Sequence, residues 1–393
     1  MQKKLEIIIS IIIAIFPALA IYIFLPGTSL ASVLLWLCFI PLFFLEKNKE
    51  FNYDEICFLF CIILISILSA LIHMMVGAEW FDFVLFYHNM YSIVVCLIPL
   101  CLVTSFINVK FFVKTVLFFG FIASLILVWQ WFSFFFTGTF EKDFFIPWFE
   151  VNRDLETISK YRPSSFFTEP AHFAIYMLPA FQIALIYKKK FFIYLFAISI
   201  LFSGSTTGFI LLAVLLVYHL YHVGTKKWYI ALLGFILLLT SIYIVYVFFP
   251  EVFLNNFDKL ESVERGNSDS RLLGPLKYLS FFSSYEHLWG ISLNQLDNFL
   301  IMIGSFGSTK NYANAAIYMY ISFGVIGFVI LFVYIVKKWL RINTSYGFLL
   351  IFLGIICSDQ ILFNGNYFYL VIFVLLTDKI CRNEKMDYEE RCS

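Results

Sequence analysis

Apolar runs long enough to cross a lipid bilayer recur along the whole chain, and they restrict its fold more than any other feature. A spanning helix needs about 20 mostly apolar residues. Runs of this kind occupy residues 5–25, 29–45, 56–76, 91–108, 111–136, 171–187, 191–203, 206–222, 229–249, 313–336, 346–361 and 366–378, the seventh and the last two being short or interrupted. Hydrophobic residues make up 62% of the chain and charged ones 13%. A soluble domain carries about 45–50% apolar and about a quarter charged residues, so no compact fold in water could hide this excess. The expectation is an all-α, polytopic integral membrane protein of about 12 transmembrane helices.

Lysine and arginine give the orientation, because cytoplasmic connections are rich in them. With Lys3 and Lys4 in the cytoplasm, alternate connections carry Lys47 and Lys49, Lys110 and Lys114, Lys188–Lys190, Lys226 and Lys227, and then Lys337, Lys338 and Arg341. Lys379, Arg382, Lys385 and Arg391 follow in the tail. Eighteen of the 27 basic residues thus fall inside, and the other nine lie in two long segments. Ala18-Leu19-Ala20 resembles a signal-peptidase site, but the apolar run continues through Leu25, so a retained anchor is expected. Both termini are therefore expected in the cytoplasm.

The chain divides accordingly. Transmembrane helices fill 1–136, a first long extracytoplasmic loop fills 137–170, and central helices fill 171–249. A second long loop covers 250–312, the last helices cover 313–378, and 379–393 form a cytoplasmic tail. Long connections without a simple joining role are commonly functional or disordered. These two contain Trp148, Trp289 and many other aromatics, which suits folded caps. Leu272, Leu276, Leu279, Phe282 and Leu288 suit a helix over 271–289 lying at the membrane surface. No internal repeat is present. No Cys-x-x-Cys or Cys/His spacing suggests a metal, and no cofactor or nucleic-acid partner is expected. Cys57 and Cys61 share a helix face and read as small buried thiols.

Five stretches hold residues that could do chemistry. The first loop ends Tyr161-Arg162-Pro163-Ser164-Ser165-Phe166-Phe167-Thr168-Glu169-Pro170-Ala171-His172. Pro170 suits the first position of a helix, with Thr168 or Glu169 as its cap. Capping accounts for Glu169 and Pro170 but not for Arg162 and His172 so close to the bilayer. The functional reading makes Arg162 an anion ligand and gives a proton to Glu169 or His172. In the second loop, Asp269 or Ser270 could cap a helix with Arg271 in its first turn, a phosphate-binding arrangement. The alternative pairs Arg265 and Arg271 with Glu261, Glu264 and Asp269 on a solvated surface. Ser203-Gly204-Ser205-Thr206-Thr207-Gly208 reads as a tight turn with close helix packing, or as hydroxyls that touch a sugar or phosphate. Asp359, Gln360, Asn364 and Asn366 interrupt the last apolar stretch, and Asp359 comes nearest to an intramembrane carboxylate. Glu79, Asp82 and His88 fall in the short outer loop after the third span.

This layout resembles the bacterial O-antigen and capsule repeat-unit polymerases of the Wzy type, relatives of the O-antigen ligases. Arg162 to Ala174 is similar to their Arg-Pro-Ser-Ser…Glu-Pro motif, and Ser203 to Gly208 to their short Ser/Thr/Gly turn. Ser270-Arg271, Gly290, Asn311 or Asn314, and Gly324-Val325-Ile326-Gly327 resemble the run from the second long loop into the next span. Motif-level resemblance covers about residues 137–335, and the rest is topology alone. Where ligases carry a His-Asn type motif this chain has Asn311-Tyr312-Ala313-Asn314, with His287 upstream, which favours the polymerase. It also lacks the Arg-x10-Gly motif of some polymerases: Arg153 leads to Ser164 and Arg265 to Leu276.

The resemblance implies glycosyl transfer at the outer leaflet between polyprenyl-diphosphate-linked oligosaccharides, alongside a flippase and a chain-length regulator. Arg162, Arg265 and Arg271 would then stabilise the leaving diphosphate. His172, Asn311 and Asn314 would help to bind substrate, and Glu169 or Asp359 would activate the acceptor hydroxyl. An O-antigen ligase, a flippase or transporter, and a non-catalytic scaffold are the competing readings.

Overall fold

The computed structural model describes residues 2–25, 28–46, 50–140, 146, 148–151, 162–223, 274–304 and 313–392. The protein is mostly helical and has multi-pass membrane character. Among the described residues, four helical stretches are long and apolar enough to cross a bilayer by length and composition. They are α4 (Tyr53–Val76), α5 (Phe83–Leu100) with its 3-10 extension to Ser105, α6 (Val109–Thr137) and α12 (Ala315–Arg341). Shorter apolar helices are α3 (Leu30–Leu45), α7 (Pro170–Ile186), α8 (Lys190–Phe202), most of α9 (Thr206–Val223) and α13 (Gly347–Ser358). The expected run 229–249 lies outside the described residues.

Two helices form the centre. Every residue of α7 from Phe173 to Leu185 is buried, as are residues 367–374 of α14 (Gly365–Cys392). A helix that is apolar all round belongs in such a position. Tyr176 and Tyr369 stack between the two, with centroids 5.3 Å apart. α14 runs well past the expected 366–378 and takes the tail with it.

Four sequence expectations need correction. The first apolar run is not one helix. It forms α1 (Gln2–Ala14), a short α2 (Phe16–Leu19) and a strand, β1 (Tyr22–Leu25). Pro17 lacks the N–H that would continue α1, and Ile21-Tyr22-Ile23-Phe24 beyond it are β-branched or aromatic. β1 pairs antiparallel with β2 (Thr28–Ser29) and with β3 (Glu150–Val151) of the first long segment, so the chain is not purely α. The 91–108 run begins earlier, at Phe83, so His88 lies inside α5. Asp82 is its cap, its carboxylate accepting from the Val84 and Leu85 amides at 2.8 and 3.2 Å. Cys57 is exposed on α4 rather than buried, because a lipid-facing wall carries the same residues as a core. The described part of 271–289 is a 3-10 helix over Gly274–Phe281 followed by a separate α10 (Ser284–Trp289), with α11 (Leu296–Met302) beyond it. A Ser283–Glu286 capping box restarts the helix there.

One end of the bundle gathers charge. Glu55, 2% exposed, pairs with Lys338, and its two carboxylate oxygens share the single Tyr334 hydroxyl proton, at 3.2 and 3.1 Å. Beside it, Arg341 reaches Asp54 at 2.8 Å. Lys379 meets Glu50 at 3.2 Å and the Thr104 carbonyl at 3.3 Å. The start of α4, the end of α12 and the middle of α14 therefore share this basic end. Removing one partner of a buried pair costs about 3–5 kcal/mol, because the other charge is left stranded, whereas replacing both by apolar groups is often neutral. Glu55→Ala should therefore lower the melting temperature in detergent sharply, and Glu55→Leu with Lys338→Leu should restore most of it. A Glu55→Ala protein that melts like the parent would contradict this account of the pair.

Candidate functional site

The opposite end carries the described parts of both long segments. The first is held by Gln130 of α6, which is fully buried. Its Oε1 accepts from the Ser164 and Ser165 amides at 3.1 and 2.7 Å, and its Nε2 donates to the Ser165 carbonyl at 2.9 Å. Ser165 sits at φ 57°, a left-handed conformation unusual for a residue with a side chain. Ser164 Oγ donates to the Phe167 carbonyl at 2.8 Å and closes the turn.

Pro170 opens α7 as expected. Glu169 holds the cap position, yet its side chain makes no capping bond. Thr168 does not cap either, since its hydroxyl meets His172 Nδ1 at 2.8 Å. Capping thus does not explain the Glu169 carboxylate. Arg162, Glu169 and His172 are all half-buried.

The Ser203–Gly208 turn packs against this motif. A Cβ on Gly208 would stand 2.6 Å from that of Ala174. Ser203 and Ser205 are buried; the Ser203 hydroxyl donates to the Ile200 carbonyl of α8 and accepts from the Ser205 amide, and the Ser205 hydroxyl accepts from the Gly208 amide. Close packing is therefore what the turn does, and these two hydroxyls are not presented to a sugar.

The second segment docks onto a broken helix. α12 loses helical geometry at Gly324 (φ 63°, ψ −157°). Beside the break, the Ile291 and Ser292 amides donate to the Ile321 and Ser322 carbonyls at 2.8 and 2.9 Å. Gly290 (φ 72°) and Gly324 make this approach possible. A Cβ on Gly290 would overlap the Ser322–Phe323 backbone, and one on Gly324 would overlap the Leu288 carbonyl. Three side chains fix the segment further. His73 Nε2 lies 2.9 Å from the Gly290 carbonyl, and His287 Nδ1 lies 2.9 Å from the Tyr320 hydroxyl. Gln295 bonds both the amide and the carbonyl of Asp82, at 3.0 and 2.9 Å. Trp80, Phe282, Ile291, Phe299, Ala313 and Ile321 form a small core of their own here. The Tyr285 hydroxyl donates to Glu286 at 3.3 Å. Burial first, and then the Glu286 carboxylate, push its pKa above the usual tyrosine range.

Asp359 joins the same end. Its carbonyl accepts from the Ala315 amide at 3.0 Å, and Asn314 caps α12 through the Ile317 amide at 3.0 Å. α13 packs antiparallel to α7, with Gly347 against Gln182. From there Asp359 and Pro170 each lie about 18 Å along their helices, so Asp359 is level with the Glu169–Pro170 junction. Gly354 against Leu211 likewise sets Asp359 level with Thr206. Among the described residues, four of the five non-glycine residues at positive φ (Ser165, Ser292, Asn294 and Phe363) lie at this end, and Lys188 lies at the other. Backbone strain of this kind clusters at functional sites.

Of the sequence-predicted residues, Arg162, Glu169, His172, Asn314 and Asp359 thus share one end of the bundle. Arg265, Arg271 and Asn311 lie outside the described residues. Sequence reasoning missed Gln130, His73 and the Asp54–Glu55 pair. A lone glutamine between Trp129 and Trp131 and a lone histidine in an apolar run were the available signals. Among the described residues no three His, Cys, Asp or Glu side chains converge as metal ligands. No protein-family model matches the chain, and no curated protein aligns with it significantly.

The glycine contact makes a direct prediction. Gly138 also has positive φ (71°) but borders open space, so Gly138→Ala should show the cost of left-handed strain alone, about 1–2 kcal/mol. Gly290 (ψ −170°) and Gly324 (ψ −157°) hold an extended positive-φ conformation that essentially only glycine adopts, so Gly290→Ala and Gly324→Ala should cost about 1–3 kcal/mol more through that strain and the overlap together, and should speed amide hydrogen exchange over residues 284–294. Equal effects from all three substitutions would contradict the close approach.

Proposed function

We propose that this chain is a repeat-unit polymerase of the Wzy type, with about 12 spans, cytoplasmic termini and both long segments outside. It would join polyprenyl-diphosphate-linked oligosaccharides into O-antigen, capsule or exopolysaccharide at the outer face of the bacterial cytoplasmic membrane. In this reading a hydroxyl at the non-reducing end of a newly flipped repeat attacks the anomeric carbon of the growing glycan. The new glycosidic C–O bond forms as the bond to the lipid diphosphate breaks, and the hydroxyl proton passes to a carboxylate. Glu169 is the first choice for that carboxylate and Asp359 the second. Arg162, with Arg265 and Arg271, takes up the charge of the leaving diphosphate. His172, Asn311 and Asn314 are the remaining candidates for substrate contacts.

One observation carries the reading. The Glu169 carboxylate stands at a helix start without capping it, next to a strained, clamped turn that leads from Arg162. A half-buried carboxylate that forms no cap, seven residues after an arginine at the same end of the bundle, suits general-base work on a lipid-linked substrate.

A flippase is the second reading, because discontinuous helices are typical of transporters and α12 is discontinuous at Gly324. The gap there is occupied by the Gly290–Ser292 backbone, which favours the polymerase. Purified protein in liposomes with lipid-linked repeats should build a ladder of longer glycans without a nucleotide sugar. Glu169→Gln should slow ladder formation about 10²–10⁴-fold, and Arg162→Ala should slow it as well. Ladders at the parental rate from both variants would remove the site assignment. A deletion strain that accumulates single repeats on the inner leaflet would favour the flippase.

A further inference from the structure

We propose that Gln130 is a positioning residue for the reaction: it holds the Ser164–Ser165 turn in its left-handed conformation and so sets the relation of Arg162 to Glu169. This inference rests on the polymerase reading and deepens it.

Gln130 lies on α6, more than thirty residues before the turn in sequence, and it is fully buried. Its amide engages three backbone groups of the turn: the N–H of Ser164, and the N–H and the C=O of Ser165. A side chain that bonds one residue through both its amide and its carbonyl fixes that residue's orientation as well as its position. The residue so fixed is strained, and strain of this kind persists only where the surroundings over-determine it. The clamp is anchored in turn. Trp131, next on α6, donates its indole N–H to the Phe202 carbonyl of α8 at 2.9 Å and has Phe134, Phe140 and Phe202 rings around it. α6 cannot roll without breaking that bond, so the Gln130 amide has a fixed origin. From the clamp to the Glu169 carboxylate the chain runs through a second fixed turn. Phe167 N–H donates to the Ser164 carbonyl at 3.0 Å, and Phe167 is buried against Phe173 and Tyr176 of α7. Arg162 precedes the clamp by two residues and Glu169 follows it by four. A shift of the turn therefore moves one relative to the other.

A displacement of about 1 Å at a reacting centre can cost about a hundredfold in rate. Gln130→Met keeps the length of the side chain but removes all three hydrogen bonds. In the liposome assay it should lower kcat about tenfold to a hundredfold, with KM for the lipid-linked repeat changed by less than about threefold. Ser165→Gly relieves the left-handed strain, because glycine adopts that conformation freely. The double variant Gln130→Met/Ser165→Gly should recover part of the lost kcat, a rescue that a general packing defect at Gln130 would not show. If Gln130→Met fails to fold, Gln130→Asn carries the same test: it keeps the amide but falls about 1.5 Å short of the turn. Parental kcat in a folded Gln130 variant overturns the proposal, and so does a loss of kcat that Ser165→Gly leaves untouched. A parent protein that makes no ladder at all overturns the polymerase reading itself and this inference with it.

Discussion

A backbone at bilayer depth must satisfy its own polar groups, and the rest of this structure is arranged around one place where a helix does not. At Gly324 α12 breaks, and the Ile321 and Ser322 carbonyls are met by the amides of Ile291 and Ser292. In lipid an unmet carbonyl would cost several kcal/mol. The second long segment therefore completes the helix as well as covering it. The contact tolerates no side chain at Gly290 or Gly324, which ties the identity of both residues to the approach of two backbones. Around it, His73, Gln295 and His287 bring α4, the α4–α5 turn and α12 into one unit.

α4 is joined to this arrangement at both ends. Glu55 and Asp54 tie its start to Lys338 and Arg341, and His73, near its other end, holds the Gly290 carbonyl. A buried ion pair adds little net stability, but it penalises every register in which a charge is left alone. The pair and the histidine together fix how far α4 can slide along α12. In the proposed orientation the ion pairs face the cytoplasm, and the strained residues Ser165, Ser292, Asn294 and Phe363 face outward.

The sequence made some of this legible. The apolar runs at 29–45, 171–187, 191–203 and 206–222 match helices to within a residue or two, because runs of apolar residues between polar turns carry the signal unaided. Pro170 marked the start of α7 by the chemistry of proline alone. The failures have physical causes. Within lipid, hydrophobicity marks both the core and the outer wall, so Cys57 could not be read as exposed. Tyr22–Leu25 is as apolar as a helix, and one of its two strand partners, β3, comes from the far-off first long segment. Asp82 and His88 looked like loop because polar residues crowd a helix start whose cap is itself an aspartate. In the candidate site, Arg162, Glu169 and His172 were legible as a local motif. Gln130 was not, since its role comes from a contact across α6 and the turn that no local pattern encodes.

The claim beneath the functional reading is that both long segments lie on one side of the membrane, away from the cytoplasm. Single cysteines in a cysteine-free background test it, probed on intact cells with a thiol reagent that cannot cross the membrane. Trp148→Cys in the first segment, Met302→Cys in the second and Leu340→Cys at the basic end all replace exposed side chains. The account requires Trp148→Cys and Met302→Cys to react at once, and Leu340→Cys to react only after permeabilisation. If either of the first two reacts only after permeabilisation, the two segments cannot share an extracytoplasmic site.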